Sequence, residues 1–250
     1  MERVKGVVLC GGEGKRLRPI TYYFQKTMIP IGKSQKPLLE YVVRLLKFYG
    51  IKDITLLVGY KAEQIVNYFE DGSRLNVNIK YVYDAQKMKG TAGCLLNAYK
   101  KKKIGVDDTL LIYYGDILTN MDLGNFIKYH REKKAKATVA LAKGFTLRVG
   151  VADLNPDGRI IIFKEKPEFE KPVSIAIVAL EGEALRDIEH LMGNRQELDL
   201  MGNVIPHLIE KEGKVYGYVT DAFWYDVGST ESYEKLDATA VEKALGFLYQ

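Results

Sequence analysis

The sequence predicts an α/β fold, with a mixed but mainly parallel central sheet covered by helices on both faces and a small β-rich lobe in its second half. Three observations predict it. Short apolar runs alternate with helical patterns four times before residue 136, which is the signature of βα units joined by right-handed crossovers. Those runs are continuous in Val, Ile, Leu and Tyr rather than alternating, as expected of strands buried on both sides. After residue 136 the rhythm changes to shorter strands separated by turn residues.

In chain order, "GVVLC" is followed by "PLLEYVVRLLKFYG", "DITLLVGY" by "AEQIVNYFE", "VNIKYVY" by "TAGCLLNAYKKK" and "DTLLIYYGD" by "LGNFIKYHREK". Each pair reads as a strand and its crossover helix, giving a Rossmann-like arrangement of parallel strands. "KATVALA", "VGVADL", "GRIIIFKEKP" and "VSIAIVAL" follow, with the turn "NPDG" between the second and third. They are expected as mixed or antiparallel strands forming a lobe over one edge of the sheet. The chain then returns to helix in "EALRDIEHLM", in "DLMGNVIPHLIEKEG" and in a last helix from about Thr230 to Leu248. Without repeats, low-complexity tracts or linkers, residues 1–250 read as one domain.

Composition narrows the function classes. With 47 % hydrophobic residues in 250, the chain can bury a large core. Cys10 and Cys94 lie far apart in apolar contexts, so they read as small core residues in a reducing compartment. No apolar run approaches the ~20 residues a membrane span needs and no small-residue cleavage site follows the first strand, so a cytoplasmic protein without a membrane partner is expected. A net charge of +5 permits a nucleic acid or a phosphorylated small molecule as partner. Aromatic-interleaved basic patches, zinc-ligand spacing and basic helix arms are absent, which argues against nucleic acid. The run Lys100 to Lys103 reads as a solvated helix end. His130, His190 and His207 fall in amphipathic helical stretches with no partner at metal spacing and read as surface or interface residues.

The stretch "VVLCGGEGKRLRPIT", residues 7–21, carries chemistry. A strand that runs into glycines and cations suits a phosphate, because glycine lets backbone N–H groups approach anionic oxygens. Two familiar loops are excluded. A P-loop would need Gly where Leu9 stands and Ser or Thr where Arg16 stands. A dinucleotide fingerprint fails at its third glycine, which is Leu17, and Pro19 pushes Arg18 out of the helical region.

What remains, "GGEGKRLRPIT" followed by "QKTMIPIGKSQKPLLEY", resembles the signature of the nucleoside triphosphate:sugar-1-phosphate nucleotidyltransferases, the sugar pyrophosphorylases. The likeness continues through "GTAGCLLNA", "YYGDIL", "VGVADL", "FKEKP" and "WYDVGS", from about residue 4 to 235. It implies the nucleotide-diphospho-sugar transferase fold, with a nucleotide-binding half over about 1–136 and a sugar-phosphate-binding half over about 137–250. At this length there is no room for the C-terminal left-handed β-helix of longer members, and its hexapeptide repeat is missing, so a minimal catalytic unit is expected.

The implied reaction is attack of a sugar 1-phosphate oxygen on the α-phosphorus of a nucleoside triphosphate, with release of pyrophosphate. Because it joins two polyanions, positioning and charge neutralisation carry the catalysis. The resemblance implies that Asp116 and Asp226 hold one Mg²⁺, that Arg16 holds the β- and γ-phosphates, that Lys26 stabilises charge at the α-phosphorus and that Lys166 holds the sugar's phosphate. Nucleotide contacts are expected from Leu9, Gly11, Gly12, Gly14, Lys15, Arg16, Gln86, Gly90 and Thr91. Sugar-phosphate contacts are expected from Gly150, Glu165, Lys166 and Ser174. Glucose 1-phosphate is slightly preferred over mannose 1-phosphate as the sugar substrate.

Two departures bear on specificity. The family places a Gln or Glu base reader five residues before the Gly90 loop, where this chain has Ala85 between Asp84 and Gln86; a one-residue shift brings Gln86 into that place. The base therefore stays open among U, dT, G, A and C. An Asn-x-Gly-Ile-Tyr strand of the family is replaced by "SIAIVAL", with Ser174, Ala176 and Val178 at the corresponding places. The alternative to an enzyme is a catalytically silent nucleotide-sugar sensor or regulatory subunit; the presence of Arg16, Lys26, Asp116, Lys166 and Asp226 favours the enzyme. A final helix with an exposed apolar face, ending "ALGFLYQ", suits a homodimer.

Overall fold

The computed structural model describes residues 4–147 and 149–249. The first half runs β1 (Val4–Leu9), the two-residue strands β2 (Pro30–Ile31) and β3 (Lys36–Pro37), α1 (Leu38–Phe48), β4 (Asp53–Val58), α2 (Ala62–Phe69), β5 (Asn78–Tyr83), α3 (Gly90–Lys100), β6 (Thr109–Tyr114), β7 (Ile117–Thr119) and α4 (Leu123–Glu132). The second half runs β8 (Ala137–Ala142), β9 (Phe145–Thr146), β10 (Val151–Leu154), β11 (Ile160–Lys164), β12 (Glu168–Phe169), β13 (Val173–Glu181), α5 (Ala184–Met192), a π turn at Leu200–Val204, α6 (Ile205–Glu212), β14 (Val215–Thr220), β15 (Trp224–Asp226), α7 (Thr230–Glu234) and α8 (Ala238–Leu245).

Seven strands form the central sheet in the order β14-β8-β13-β6-β1-β4-β5. β1 pairs in parallel with both β4 and β6, and β4 with β5, as the four βα units require. Consecutive residues of each strand serve opposite faces. Val8, Leu56, Leu111 and Tyr113 join the core under α1, α2, α4 and α8, while Val7, Leu57, Leu110 and Ile112 join the core under α3, α5 and α6. That two-sided burial is why these strands carry apolar residues without alternation.

The second half differs from expectation. "KATVALA" and "VSIAIVAL" are not lobe strands; as β8 and β13 they extend the central sheet, with β13 antiparallel to both β6 and β8. The reason is burial: Ile175 and Ile177 to Leu180 are all at or near zero exposure, and such an unbroken run needs cover on both sides. An unforeseen strand, β14, then pairs in parallel with β8 at the sheet edge. Its residues are only half-buried and Gly217 interrupts them, so the sequence gives little strand signal there. The lobe is left with two separate antiparallel ladders, β10–β11 and β9–β12.

The single last helix is also corrected. It breaks after α7, and Asp237 starts α8 by accepting from Thr239 N at 2.8 Å. Nor is its apolar face exposed: Leu245 and Leu248 are buried, Phe247 meets Phe48 edge-on at 4.9 Å and Tyr249 meets Tyr41 at 5.2 Å. The chain itself covers the face that suggested a homodimer. His130 is likewise no surface residue. It is 1 % exposed and hydrogen-bonds Thr138 Oγ1 at 2.8 Å and Glu181 Oε1 at 2.9 Å, tying α4 to β8 and β13. His190 is exposed and His207 partly so. Among the described residues no helix is long and apolar enough to cross a membrane.

Candidate active site

The carboxyl ends of β1, β4 and β6 are level, with Leu9 opposite both Leu57 and Tyr114. Open parallel sheets bind ligands at such an edge. Two bonds pin the start of the glycine loop there, Cys10 N to Leu57 O and Gly115 N to Leu9 O, both at 3.0 Å. Gly14 turns the loop at φ 62°, and a Cβ on it would fall 2.9 Å from Thr21 Cγ2 and 3.1 Å from Lys26 Cβ. Glycine is therefore needed for both conformation and space. The turn Lys15–Leu17 follows, anchored by the fully buried Leu17, and Arg18 leaves it in an extended conformation.

Lys26 is held by a residue the sequence reading did not single out. Gln25 is fully buried; its Nε2 donates to Cys10 O at 2.6 Å, and its Oε1 accepts from Thr27 N at 2.6 Å and Thr27 Oγ1 at 2.7 Å. This network welds the Lys26 turn to the glycine loop. Lys26 Nζ forms an ion pair with the Asp116 carboxylate, in a setting where the two side chains are only 15 % and 19 % exposed.

The tertiary structure brings the two distant aspartates together. β15 pairs antiparallel with β7, placing Asp226 opposite Ile117, and Val227 N donates to Asp116 O at 3.0 Å. Arg16 converges on the same place. A Cβ on Gly228 would meet Asp226 Oδ1 at 2.6 Å and Arg16 Nη2 at 3.1 Å, so this glycine makes room for both charges. Thr230 Oγ1 donates to the carbonyls of Arg16 and Arg18, each at 3.3 Å, and fastens the loop to α7.

Three adjoining cavities meet these side chains. The first, about 310 Å³, is lined by Leu9, Cys10, Gly11, Gly12, Gln25, Lys26, Thr27, Leu57, Asp84, Gly90, Thr91, Cys94, Tyr114 and Asp116. The second, about 710 Å³, is lined by Arg16, Lys166, Trp224, Tyr225, Asp226, Ser229 and Ser232 with residues 144–147. Between them lies a third of about 420 Å³, bordered by Glu13, Gly14, Lys15, Arg16, Lys26 and Gly228. Lys26 is shared by the first and third, and Arg16 by the second and third.

Most residues expected at the nucleotide lie here, with two differences. Gln86 is exposed and lines none of these three cavities; Asp84 stands in the first instead. Cys94 also lines it rather than serving only as core. Its thiol is pushed up to about 12 by burial and by the Asp84 carboxylate, and the Cys10 thiol is raised further still, first by burial and then by Asp84. Both thiols are therefore uncharged at neutral pH and poor nucleophiles. The Thr91 hydroxyl is engaged within the fold: it donates to Asp199 Oδ2 at 2.8 Å and accepts from Leu200 N at 2.7 Å.

On the other side, Lys166 reaches the second cavity from a left-handed turn at φ 47°. Gly150 and Glu165 are neighbours, since a Cβ on Gly150 would fall 3.0 Å from Glu165 Oε2. Both lie outside the cavity lining, as does Ser174, whose Oγ accepts from Ala176 N at 3.2 Å. The aromatic wall of Phe145, Trp224 and Tyr225 is not among the expected site residues, because its members come from two unrelated segments.

Among the described residues no group of three or more His, Cys, Asp or Glu side chains could hold a metal ion. Asp116 and Asp226, on neighbouring rungs beside the cavities, still offer two hard oxygen ligands. A two-carboxylate set fits a magnesium-like cation that completes its shell with water and substrate phosphates.

A family model described as nucleotidyl transferase matches residues 5–243. A UTP–glucose-1-phosphate uridylyltransferase from Synechocystis sp. is 34 % identical over 245 residues, covering 92 % of this chain and 61 % of that protein. A D-glycero-α-D-manno-heptose 1-phosphate guanylyltransferase from Aneurinibacillus thermoaerophilus is 32 % identical over 236 residues, covering 93 % of this chain and 96 % of that protein. The chain thus spans less than two thirds of the first relative and nearly all of the second. A solved structure from Bacillus anthracis aligns with a TM-score of 0.74 at 24 % identity, covering 95 % and 94 % of the two chains, and shares the fold.

Proposed function

This chain belongs to the nucleotidyl transferase family, and we propose that it joins a nucleoside triphosphate to a hexose 1-phosphate, forming a nucleoside-diphosphate sugar and pyrophosphate. The observation that carries the reading is the meeting of Arg16, Lys26, Asp116 and Asp226 where the cavities adjoin. The smaller cavity takes the nucleoside, the middle one the phosphates and the larger one the sugar phosphate. Glucose 1-phosphate is read as slightly favoured over mannose 1-phosphate, in keeping with the sugar named for the Synechocystis relative.

An oxygen of the sugar phosphate attacks the α-phosphorus, and the bond from that phosphorus to the β-bridging oxygen breaks, so that pyrophosphate leaves. The attacking phosphate has a second pKa of about 6 and arrives largely ionised, so no general base is required. Arg16 grips the β- and γ-phosphates with its forked guanidinium and disperses the charge that departs with them. Lys26, oriented by Gln25 and by its ion pair with Asp116, neutralises charge at the α-phosphate. Lys166 draws in the sugar's phosphate from the opposite wall. Asp116 and Asp226 would hold a Mg²⁺, which would supply charge neutralisation for the reacting phosphates.

The test is a matrix of pyrophosphate-release assays with Mg²⁺, pairing UTP, dTTP, GTP, ATP and CTP with glucose 1-phosphate and with mannose 1-phosphate. Release for at least one pair, abolished by EDTA, is expected; silence across the whole matrix overturns the proposal.

A further inference from the structure

Among the described residues, the carboxylate of Asp84 is an acceptor placed in the first cavity without a cationic partner. It follows β5 directly, and its side chain fits between two backbone segments that come close only because both carry glycine. A Cβ on Gly59 would fall 1.9 Å from Asp84 Oδ2, and one on Gly11 would fall 2.8 Å from the same atom. Any other residue at either position would evict the carboxylate. Among the described residues its side-chain hydrogen-bond partner is the Cys94 thiol, a weak donor 3.4 Å from Oδ1. Among the described residues no lysine or arginine pairs with it, although the chain has 37 of them. The surrounding wall of Leu9, Leu57, Cys94 and Tyr114 is largely apolar. Asp84 as a residue is exposed, yet partial desolvation by the cavity walls raises its carboxyl pKa above the usual value.

An ionised carboxylate can only accept. It therefore demands a donor from whatever fills the cavity and penalises an acceptor placed against it. The nucleobases differ in what they can offer. Guanine presents two adjacent donors, N1–H and the N2 amino group, which match the two oxygens of a carboxylate. Uracil and thymine present one N–H flanked by two carbonyl oxygens that would face the charge. Adenine and cytosine each present an amino group beside a ring-nitrogen acceptor.

Resting on the nucleotidyl-transfer reading of this site, we propose that Asp84 is the base-selecting residue and that it makes the chain a guanine-nucleotide enzyme. The relatives carry both kinds of name, guanylyltransferase for that of Aneurinibacillus thermoaerophilus and uridylyltransferase for that of Synechocystis, so the choice rests on Asp84. A bidentate match of this kind discriminates by about 10- to 100-fold.

The experiment compares kcat/KM for GTP, ITP, UTP and dTTP with the best sugar 1-phosphate, in the parent protein and in Asp84→Asn. GTP is expected to lead the other triphosphates by at least about tenfold, and ITP, which lacks the N2 amino group, to fall about tenfold below GTP. Asp84→Asn is nearly isosteric and should lower the GTP-to-UTP ratio by about 10- to 100-fold, a change in preference that a merely structural role would not produce. A parent protein that favours UTP, dTTP, CTP or ATP, or a ratio unchanged in Asp84→Asn, overturns the assignment while leaving nucleotidyl transfer intact. If no triphosphate reacts at all, the transfer reading fails and calorimetric titration with GMP and UMP decides separately. Tighter GMP binding that Asp84→Asn abolishes supports the assignment, and equal binding overturns it.

Discussion

The two cavities are built to different standards. The 310 Å³ cavity grows from the ends of strands buried on both faces, and its charged pair, Lys26 and Asp116, is locked by the fully buried Gln25. The 710 Å³ cavity opposite is walled in part by short ladders of the lobe, where Lys166 and Glu165 are 63 % and 62 % exposed. One side fixes its groups through the core, where closely packed side chains resist displacement. The other presents them on two-stranded ribbons with little beneath them, and such ribbons are marginal alone. On the proposed division of substrates, aligning an attacked phosphorus would gain from the first, and admitting a sugar would tolerate the second.

The sharpest challenge to this contrast is Asp116→Asn. It should cut the rate of pyrophosphate release roughly 10³-fold with an unchanged far-UV spectrum, on the order of the loss from removing one group that stabilises transition-state charge; a loss below tenfold would break the catalytic assignment. Leu111→Ala, at a fully buried position of β6, should cost about 2–5 kcal/mol in urea unfolding. Lys166→Ala should raise KM for the sugar 1-phosphate by about tenfold while the nucleotide KM stays within twofold, the loss of one charge-assisted hydrogen bond at an exposed position. Equal effects on both KM values would show that the cavities do not divide the substrates.

A smaller effect tests the strand that joins the halves. Burial raises the pKa of Glu181, but its hydrogen bond from His130, the charge of His130 and its bond from Thr109 together pull it below the usual carboxylate value. A depressed folded pKa stabilises above the unfolded value and is lost as pH falls through the folded one. Glu181→Gln should therefore flatten the acid side of the pH–stability curve between the unfolded value near ~4.3 and lower pH; a parallel curve would deny the linkage. The smallest change is expected from Ile161→Ser in β11, where the parent side chain is 60 % exposed. Its unfolding free energy should stay within about 0.5 kcal/mol, and a shift of 2 kcal/mol would show that the lobe is packed as tightly as the sheet.

Legibility followed the same divide. The four βα units were readable because each strand is a continuous apolar run and each helix follows with its own period. β14 was not, since a half-buried edge strand interrupted by Gly217 has no distinct pattern. The single last helix was misread because its apolar residues continue across Asp237, whose side chain caps a new helix. In the site, the glycine loop, Lys26 and both aspartates were visible as motif residues. Gln25 and Asp84 were not assigned their places, because each acts through partners distant in sequence: Cys10 for the first, and Gly11 and Gly59 for the second.

By itself, the sequence determined the parallel half of the sheet, the glycine-and-cation make-up of the loop after β1 and the set of charges available to the site. Those properties reside in local pattern and residue type, which no packing can alter. The tertiary structure alone decided that β13 runs inside the sheet, that Asp226 lies one rung from Asp116 and that Asp84 rather than Gln86 lines the 310 Å³ cavity. Each of these depends on which distant backbone comes alongside, and that is set by how the whole chain buries its apolar faces rather than by any neighbour in sequence.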